Sequence, residues 1–177
     1  QHRPDFGNTL QIGCAERLAV VTQIPVAHQF RRSDLAKAGQ GAPLAPLFHQ
    51  HQFTRDTENV GVLNLGGIAN LTLLISGKPP VGWDIGPGNT LTDQWYREKH
   101  VGYFDTDGRL ARRSLVDSDL LEHLLHDPYF DRQPPKSTGR EYFNLNWLSD
   151  KLSIFPQVKS GTVLATLNQL TAKLVAR

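Results

Sequence analysis

The chain has 177 residues, of which 39% are hydrophobic and 20% are charged. The length suits one domain, or one domain and part of another, and the composition is typical of a globular fold rather than of long disorder. The formal net charge of +2 is too small to favour nucleic acid or an anionic membrane as a partner. Apolar runs stay well short of the roughly 20 residues of a membrane span, and the first residues lack the basic-then-apolar pattern of a signal peptide.

The two sulfur-containing residue types are scarce. Cys14 is the only cysteine, which excludes an internal disulfide and a cysteine metal cluster, and we expect it to be a small buried hydrophobic residue. Methionine is absent, whereas a natural chain normally opens with one. Since an apolar helical pattern also runs up to Arg177, we expect this chain to be a piece of a longer protein.

The first part of the chain predicts short elements. They are a strand at 9–12, a helical turn or two at 15–21, an extended segment at 25–30, a loop with one helical turn at 31–43, and a helix that opens at 43–49. Two apolar runs at 59–65 and 69–75 follow, separated by Gly66-Gly67. This pattern predicts an antiparallel hairpin, to which residues 81–84 add a third strand.

The second part of the chain predicts mainly helices. Apolar residues recur every three or four positions at 90–99, 115–126, 146–152 and 162–175, and Asp127-Pro128 ends the second of these helices. Strands and helices are therefore mixed, and the fold class is α/β or α+β.

The strongest local feature is Asp84-Ile85-Gly86-Pro87-Gly88-Asn89 at the end of the third strand. An aspartate there can act as a general base toward a hydroxyl group. The glycines would let a substrate or a phosphate approach the backbone, and N–H groups at the start of the next helix could bind an anion. The alternative is a tight turn in which the aspartate caps the helix.

Two other segments are likewise open to a functional or a purely structural interpretation. Lys136 and Arg140 lie four residues apart with hydroxyl groups between them and could hold an anionic group. The alternative is a solvated loop that begins a helix, with Glu141 in the first turn. The glycine pair of the hairpin could contact nucleotide phosphates, although such a pair more often only forms a turn.

Two further segments lie earlier in the chain. Arg31-Arg32-Ser33-Asp34, followed by glycines, suits recognition of a carboxylate or a sugar, and a surface salt-bridge network is the alternative. His49 and His51 lack a third ligand at a known spacing, so we interpret them as surface or packing residues and expect no metal site.

Together these segments resemble one family, the bacterial anhydro-N-acetylmuramic acid kinases, along essentially the whole chain. The motifs that carry the resemblance are 9–13, 30–34, 39–44, 64–71, 84–89 and 136–143. The resemblance implies the two-domain α/β fold shared by actin, sugar kinases and heat-shock ATPases, which is ribonuclease H-like, with the active site in the cleft. Residues 1–58 would end the N-terminal domain and residues 59–177 would begin the C-terminal domain.

The resemblance also implies an activity. Such kinases are cytoplasmic enzymes of peptidoglycan recycling that open 1,6-anhydro-N-acetylmuramic acid with water and phosphorylate the freed 6-oxygen, using ATP and Mg²⁺. The family's phosphate loop and its later adenosine-binding segment are absent here, so we expect the chain to be inactive alone. Apolar surface that the missing parts would cover makes a homodimer a further expectation.

The resemblance assigns roles to individual residues. Asp84 would be the catalytic base. The residues expected at the nucleotide or its phosphates are Gly66, Gly67, Asn70, Gly86, Gly88 and Asn89. The residues expected at the sugar are Arg31, Asp34, Gln40, Gly41, Lys136, Arg140 and Glu141.

Two positions depart from the family pattern. Gln29 stands where the family usually has aspartate, and the lost carboxylate would weaken substrate or metal contacts. Ile85 stands where the family commonly has threonine, which would remove a hydrogen bond beside Asp84 and raise the pKa of that carboxyl by desolvation. These departures leave open an alternative, a non-catalytic sugar-binding or interaction module built from the same fold.

Overall fold

A computed structural model describes residues 2–3 and 6–177 of the chain. It is a mixed α/β structure in which helices surround a three-stranded sheet. The strands are β1 (His2–Arg3), β2 (Asn8–Thr9), β3 (Val60–Leu65), β4 (Ile68–Leu74) and β5 (Val81–Pro87). The helices are α1 (Ala15–Thr22), α2 (Phe30–Leu35), α3 (Pro46–Phe53), α4 (Asn89–Lys99), α5 (Arg109–Arg112), α6 (Ser118–Leu125), α7 (Pro128–Asp131), α8 (Leu145–Leu152) and α9 (Ser160–Val175), with a 3₁₀ turn at Thr106–Gly108.

The sheet has the strand order β3-β4-β5, and both pairs are antiparallel. The predicted hairpin is confirmed, with Leu65 paired to Ala69 across the glycine turn. The third strand is longer than predicted, because it continues past Asp84 to Pro87. The motif at 84–89, which was expected to follow the strand as a turn or loop, is therefore partly strand.

The hydrophobic core lies between the sheet and the later helices. Helix α9 buries Leu164, Leu167, Leu170 and Leu174, as their spacing of three and four residues predicts. The last three of these leucines share one core with Leu120 and Leu124 of α6 and Leu148 of α8, whereas Leu164 belongs to a smaller cluster with Ala111 and Ala165. This packing fixes the position of β5, whose end carries the predicted site.

The first part of the chain buries little. Helices α1 and α2 contain no buried residue, and α3 buries only Pro46. Helix α3 packs on the sheet, because Pro46 fills the space that a side chain at Gly82 would need, and Nδ1 of His49 lies 2.9 Å from Oγ1 of Thr72. His49 is thus a packing residue, as expected.

Several predicted boundaries need correction. Of the expected strand at 9–12 only Thr9 is in a strand, at the end of β2, whose partner is the short strand at His2–Arg3. The helix expected to open at 115 begins at Ser118, because the Asp117 carboxylate caps it by accepting a hydrogen bond from the N–H of Leu120. Apolar periodicity did not indicate α5 and α7, which are each four residues long.

Cys14 is exposed, not buried as expected. Its thiol lies at the N-cap of α1, where it accepts a weak hydrogen bond from the N–H of Arg17 at 3.4 Å. None of the helices within the described ranges combines the length and the apolar character that a membrane crossing needs.

Candidate active site

Asp84 lies where the pairing of β4 and β5 changes register. Asn70 pairs with Asp84, but Ala69 pairs with Gly86, so Ile85 is an extra residue on β5. Such a bulge bends the strand and redirects its side chains, and bulges are frequent beside active sites. The same register places Asn64, Asn70 and Asp84 in one cross-strand row. Two amide side chains therefore lead across the sheet to the carboxylate.

The Asp84 carboxylate is buried, with 7% of the residue exposed. Its Oδ2 accepts a hydrogen bond from the N–H of Thr138 at 3.0 Å. The backbone of Asp84 is held by the same part of the chain, because its N–H donates to the carbonyl of Lys136 at 3.0 Å and its carbonyl accepts from the Tyr129 hydroxyl at 2.7 Å. Asp84 is fixed at three points by the segment 129–138.

The surroundings of Asp84 favour a proton on its carboxyl. Burial raises the pKa of Asp84 above its usual value, and the negative charge of Glu141 adds a smaller increase. The N–H of Thr138 and the guanidinium of Arg31 act in the opposite direction and lower this pKa. A carboxyl with a raised pKa is better suited to accept a proton near neutral pH than a fully solvated one.

The segment of α2 and the loop after it reaches the same place. Arg31 donates from Nη1 to the carbonyl of Gly41 at 3.0 Å, and Asp34 accepts from the N–H of Gly41 at 2.7 Å. Two residues expected to bind the sugar are therefore used, at least in part, to shape the loop. Gln40 is held toward the β5 side, because the Ser137 hydroxyl donates to its Oε1 at 3.4 Å.

Arg31 also borders a cavity of about 460 Å³ beside α1 and α2. Cys14, His28 and Phe30 are among its other lining residues. Arg31 therefore borders this cavity and is near enough to Asp84 for its positive charge to lower the pKa of that carboxyl. An arginine in this place suits a ligand that carries a carboxylate.

The two basic residues Lys136 and Arg140, which follow α7, have different surroundings. Arg140 is exposed and packs on the hairpin, where a Cβ on Gly67 would lie 3.3 Å from its Nη2. The exposed carboxylate of Glu141 folds back onto Gly139 and contributes negative charge near Asp84.

Lys136 points elsewhere. It is 6% exposed, and its Nζ donates to the carbonyls of Tyr129 and Phe130 at 3.2 and 3.3 Å. Burial lowers the pKa of this ammonium. The structure does not bring the charges of Lys136 and Arg140 together, so the expectation that they hold one anion is wrong for this arrangement.

The N–H groups at the start of α4 already have partners. Those of Gly88 and Thr90 donate to the carbonyl of Gly67 at 3.0 Å, and that of Asn89 donates to the carbonyl of Gly66 at 2.8 Å. The expectation that these N–H groups are available to an anion is therefore corrected. The glycine hairpin is used to cap this helix.

The glycines of the site motif serve internal packing. A Cβ on Gly86 would lie 2.9 Å from Cε1 of Phe130 and 3.1 Å from Cδ1 of Leu174, and the φ of Gly86 is +156°. A Cβ on Gly88 would meet the carbonyl oxygen of Gly66. The motif is glycine-rich because its backbone is packed closely against other parts of the chain.

The two departures from the family pattern have different settings. Ile85 belongs to the hydrophobic core and is 5% exposed. Its side chain packs against other apolar residues and cannot offer the hydrogen bond that a threonine hydroxyl would offer. Gln29 is exposed at the N-cap of α2, with a φ of +64° and no capping hydrogen bond from its side chain. Its effect on a ligand stays a prediction.

Sequence reasoning missed Tyr129, whose hydroxyl contacts Asp84 from 45 positions away. The one available signal was Asp127-Pro128 followed by two aromatic residues, which is a helix start as much as a helix end. No group of three or more histidine, cysteine, aspartate or glutamate residues within 6–177 could hold a metal ion.

Comparison with known proteins identifies the family of the chain. The family model described as anhydro-N-acetylmuramic acid kinase matches residues 1–177. Curated relatives with that name from Bordetella pertussis, Bordetella parapertussis and Bordetella bronchiseptica are each 49% identical over 180 residues, which is 99% of this chain and 47% of the relative. The chain therefore spans about half the length of these relatives. On the extent of the family match, it belongs to the anhydro-N-acetylmuramic acid kinase family.

Proposed function

We propose that this chain supplies the water-activating part of an ATP-dependent kinase that acts on 1,6-anhydro-N-acetylmuramic acid. The observation that carries the proposal is the Asp84 carboxylate, which is buried at a strand bulge, held by Thr138 and faced by Arg31. Burial and two opposite neighbouring charges are the surroundings in which an aspartate serves as a general base.

The proposed reaction gives Asp84 one role. Its carboxylate takes a proton from a water molecule, the water oxygen bonds to the anomeric carbon, and the bond from that carbon to the bridging oxygen breaks. The freed 6-oxygen then accepts the γ-phosphoryl group of ATP, which gives N-acetylmuramic acid 6-phosphate and ADP. Arg31, which lines the neighbouring cavity, is the natural partner for a carboxylate of the sugar.

The nucleotide side of the proposal rests on the hairpin. Arg140 lies on Gly67 and would place a positive charge where the phosphates of ATP approach the turn. Mg²⁺ is expected to bind mainly through those phosphates. Since the described residues offer no group that could hold a metal ion, we assign no step to it here.

The proposed fold is the two-domain type of actin and the sugar kinases. We propose that residues 1–58 end one domain and residues 59–177 begin the other. This division is supported by burial, because α1 and α2 bury no residue, whereas the hydrophobic core extends from Ala69 to Leu174. The reaction would take place in the cytoplasm, where such kinases recycle cell-wall sugars.

Titration of 1,6-anhydro-N-acetylmuramic acid into the chain tests the proposal, with calorimetry or tryptophan fluorescence as the readout. We expect saturable binding whose affinity changes with pH as Asp84 ionises. The Asp84→Asn variant should bind with little pH dependence, and Asp150→Asn, at an exposed position of α8, should behave as the original chain. Failure of the folded chain to bind the sugar would contradict the proposal.

A second experiment separates an enzyme from a binding module. Joining this chain to the parts of a relative that lie outside the matched half should give ATP-dependent phosphorylation of the sugar. Asp84→Asn should reduce that turnover by about 10²-fold or more. Sugar binding without turnover in the completed protein would instead indicate a non-catalytic sugar-binding module.

A further inference from the structure

The segment 129–138 closes a loop around the backbone of Asp84. Among the described residues the strand β5 is at the edge of the sheet, so its outward-facing backbone groups have no neighbouring strand there. At Asp84 both groups have a partner in this segment, the Lys136 carbonyl for the N–H and the Tyr129 hydroxyl for the carbonyl. The contact from Thr138 to the carboxylate follows two residues after Lys136.

The side chain of Lys136 joins the two ends of that segment. Its Nζ donates to the carbonyls of Tyr129 and Phe130, and it lies 4.9 Å from the centroid of the Tyr129 ring. A buried ammonium is costly unless it is hydrogen-bonded. The hydrogen bonds to the carbonyls of Tyr129 and Phe130 therefore explain how the Lys136 ammonium can be buried here.

The start of the segment is anchored as well. Asp127 is 3% exposed, and its Oδ1 accepts from the N–H of Tyr129 at 3.0 Å and from the Tyr142 hydroxyl at 2.9 Å. Its Oδ2 accepts from Nε1 of Trp147 at 2.8 Å. The Tyr129 hydroxyl thus projects from a fixed base, and burial together with the charge of Asp84 raises its pKa, which keeps it protonated as a donor.

We infer that Tyr129 and Lys136 are positioning residues, which hold the backbone of Asp84 so that its carboxylate stays on the N–H of Thr138 and faces the site. The inference rests on the proposed function for its catalytic meaning, but the geometry that it asserts can be measured without substrate. Neither residue is expected to touch the sugar or ATP, because each is buried against the chain itself.

The test follows the N–H of Thr138 by two-dimensional NMR while the pH is varied. An N–H that donates to a carboxylate changes its shift when the carboxylate ionises, so this signal should report the titration of Asp84. The charged groups that face Asp84 are Arg31 and Glu141, and Asp84→Asn identifies the part of the shift that belongs to Asp84 itself. We expect Tyr129→Phe to reduce the amplitude of the Thr138 shift by about half or more.

A matched control comes from the neighbouring aromatic residue. Tyr142→Phe also removes one hydroxyl hydrogen bond from the same aromatic cluster, but that bond goes to Asp127. We expect it to change the amplitude of the Thr138 titration less than Tyr129→Phe does, because Asp127 keeps the N–H of Tyr129 and Nε1 of Trp147 as donors. Equal amplitudes in the Tyr129→Phe variant and the original chain would overturn the inference, as would an equal loss in both phenylalanine variants.

A second pair of variants tests the same idea at Lys136. Lys136→Met keeps the aliphatic stem and removes the ammonium, whereas Lys151→Met removes an ammonium 3.8 Å from Asp127 and leaves the segment closed. Only Lys136→Met should reduce the Thr138 amplitude, and it should weaken sugar binding about fivefold or more.

Unfolding of both Tyr129→Phe and Lys136→Met, while both controls fold, would show a purely structural role and overturn the inference. If the original chain shows the Thr138 titration but binds no sugar, the proposed function fails and the positioning is still decided by NMR.

Discussion

Gly88 and Gly66 are in direct backbone contact, since a Cβ on Gly88 would meet the carbonyl oxygen of Gly66. That carbonyl accepts the N–H of Asn89 at 2.8 Å. The hairpin turn and the first residues of α4 are consequently one unit, and α4 leads directly from the strand that carries Asp84. The contact relates the glycine pair of the hairpin to Gly88 of the site motif, which is 22 positions after Gly66.

Gly88→Ala should destabilise the chain by about 2–3 kcal/mol, because an added methyl group must displace backbone rather than a flexible side chain. Gly61→Ala in β3 is the control, because its new Cβ would be 3.7 Å from Cδ1 of Leu71 and would meet no backbone. We expect the control to change the free energy of unfolding by about 0.5 kcal/mol or less. Urea denaturation measures both values, and similar losses in the two variants would contradict the contact.

Asp84→Asn should change how stability depends on pH. The folded-state pKa of Asp84 is raised by burial, so the folded chain binds a proton more tightly than the unfolded chain does. Stability therefore falls as the pH rises from the unfolded pKa of about 4 to the higher folded pKa, and is level above it.

The asparagine variant lacks this titration. The difference in the free energy of unfolding, variant minus original, should increase with pH across that interval and then stay constant. Guanidinium denaturation at several pH values between about 3.5 and 8 measures it. A difference that does not vary with pH would show that the carboxyl titrates as it does in the unfolded chain.

Asp34 is expected to act through the loop after α2. Since its Oδ2 accepts the N–H of Gly41 at 2.7 Å, Asp34→Ala should release the loop and weaken binding of the anhydro-sugar about tenfold, in line with roughly 1.5–3 kcal/mol for a hydrogen bond to a charged group. Asp34→Asn retains an acceptor oxygen and should bind within about threefold of the original chain. Calorimetry compares the three proteins. An equal loss in both variants would instead indicate that the charge of Asp34 contacts the sugar directly.

Local patterns were enough to predict the hairpin and α9. The strands β3 and β4 are adjacent apolar runs separated by a glycine turn, and α9 repeats its leucines at helical spacing over 16 residues. Both signals lie within a short stretch of chain. The same holds for Asp84, whose position after an apolar run marked it as a candidate before its neighbours were known.

The surroundings of the other site residues could not be predicted, because they depend on contacts between residues that are far apart in the sequence. Nothing in the sequence around Lys136 indicates whether its ammonium faces the site or the interior, because that depends on which side of β5 each residue of the segment 136–138 faces. The hydroxyl of Tyr129 reaches Asp84 only through the packing of α7 against β5. The glycines were assigned to ligands for the same reason, since the backbone and side chains that fill the space beside Gly86 and Gly88 come from elsewhere in the chain.

The two edges of the sheet have unequal protection. Next to Asp84, the edge at β5 is covered by the segment that ends at Thr138, whereas in the part of the chain that the structure describes β3 has a hydrogen-bonded strand on one side only. Leu63 and Leu65 of β3 are 40% and 54% exposed. An open apolar edge is a template on which a strand of another molecule can add. Association of this chain with itself at high concentration is therefore expected to begin at β3, and a charged residue in place of Leu63 would oppose it.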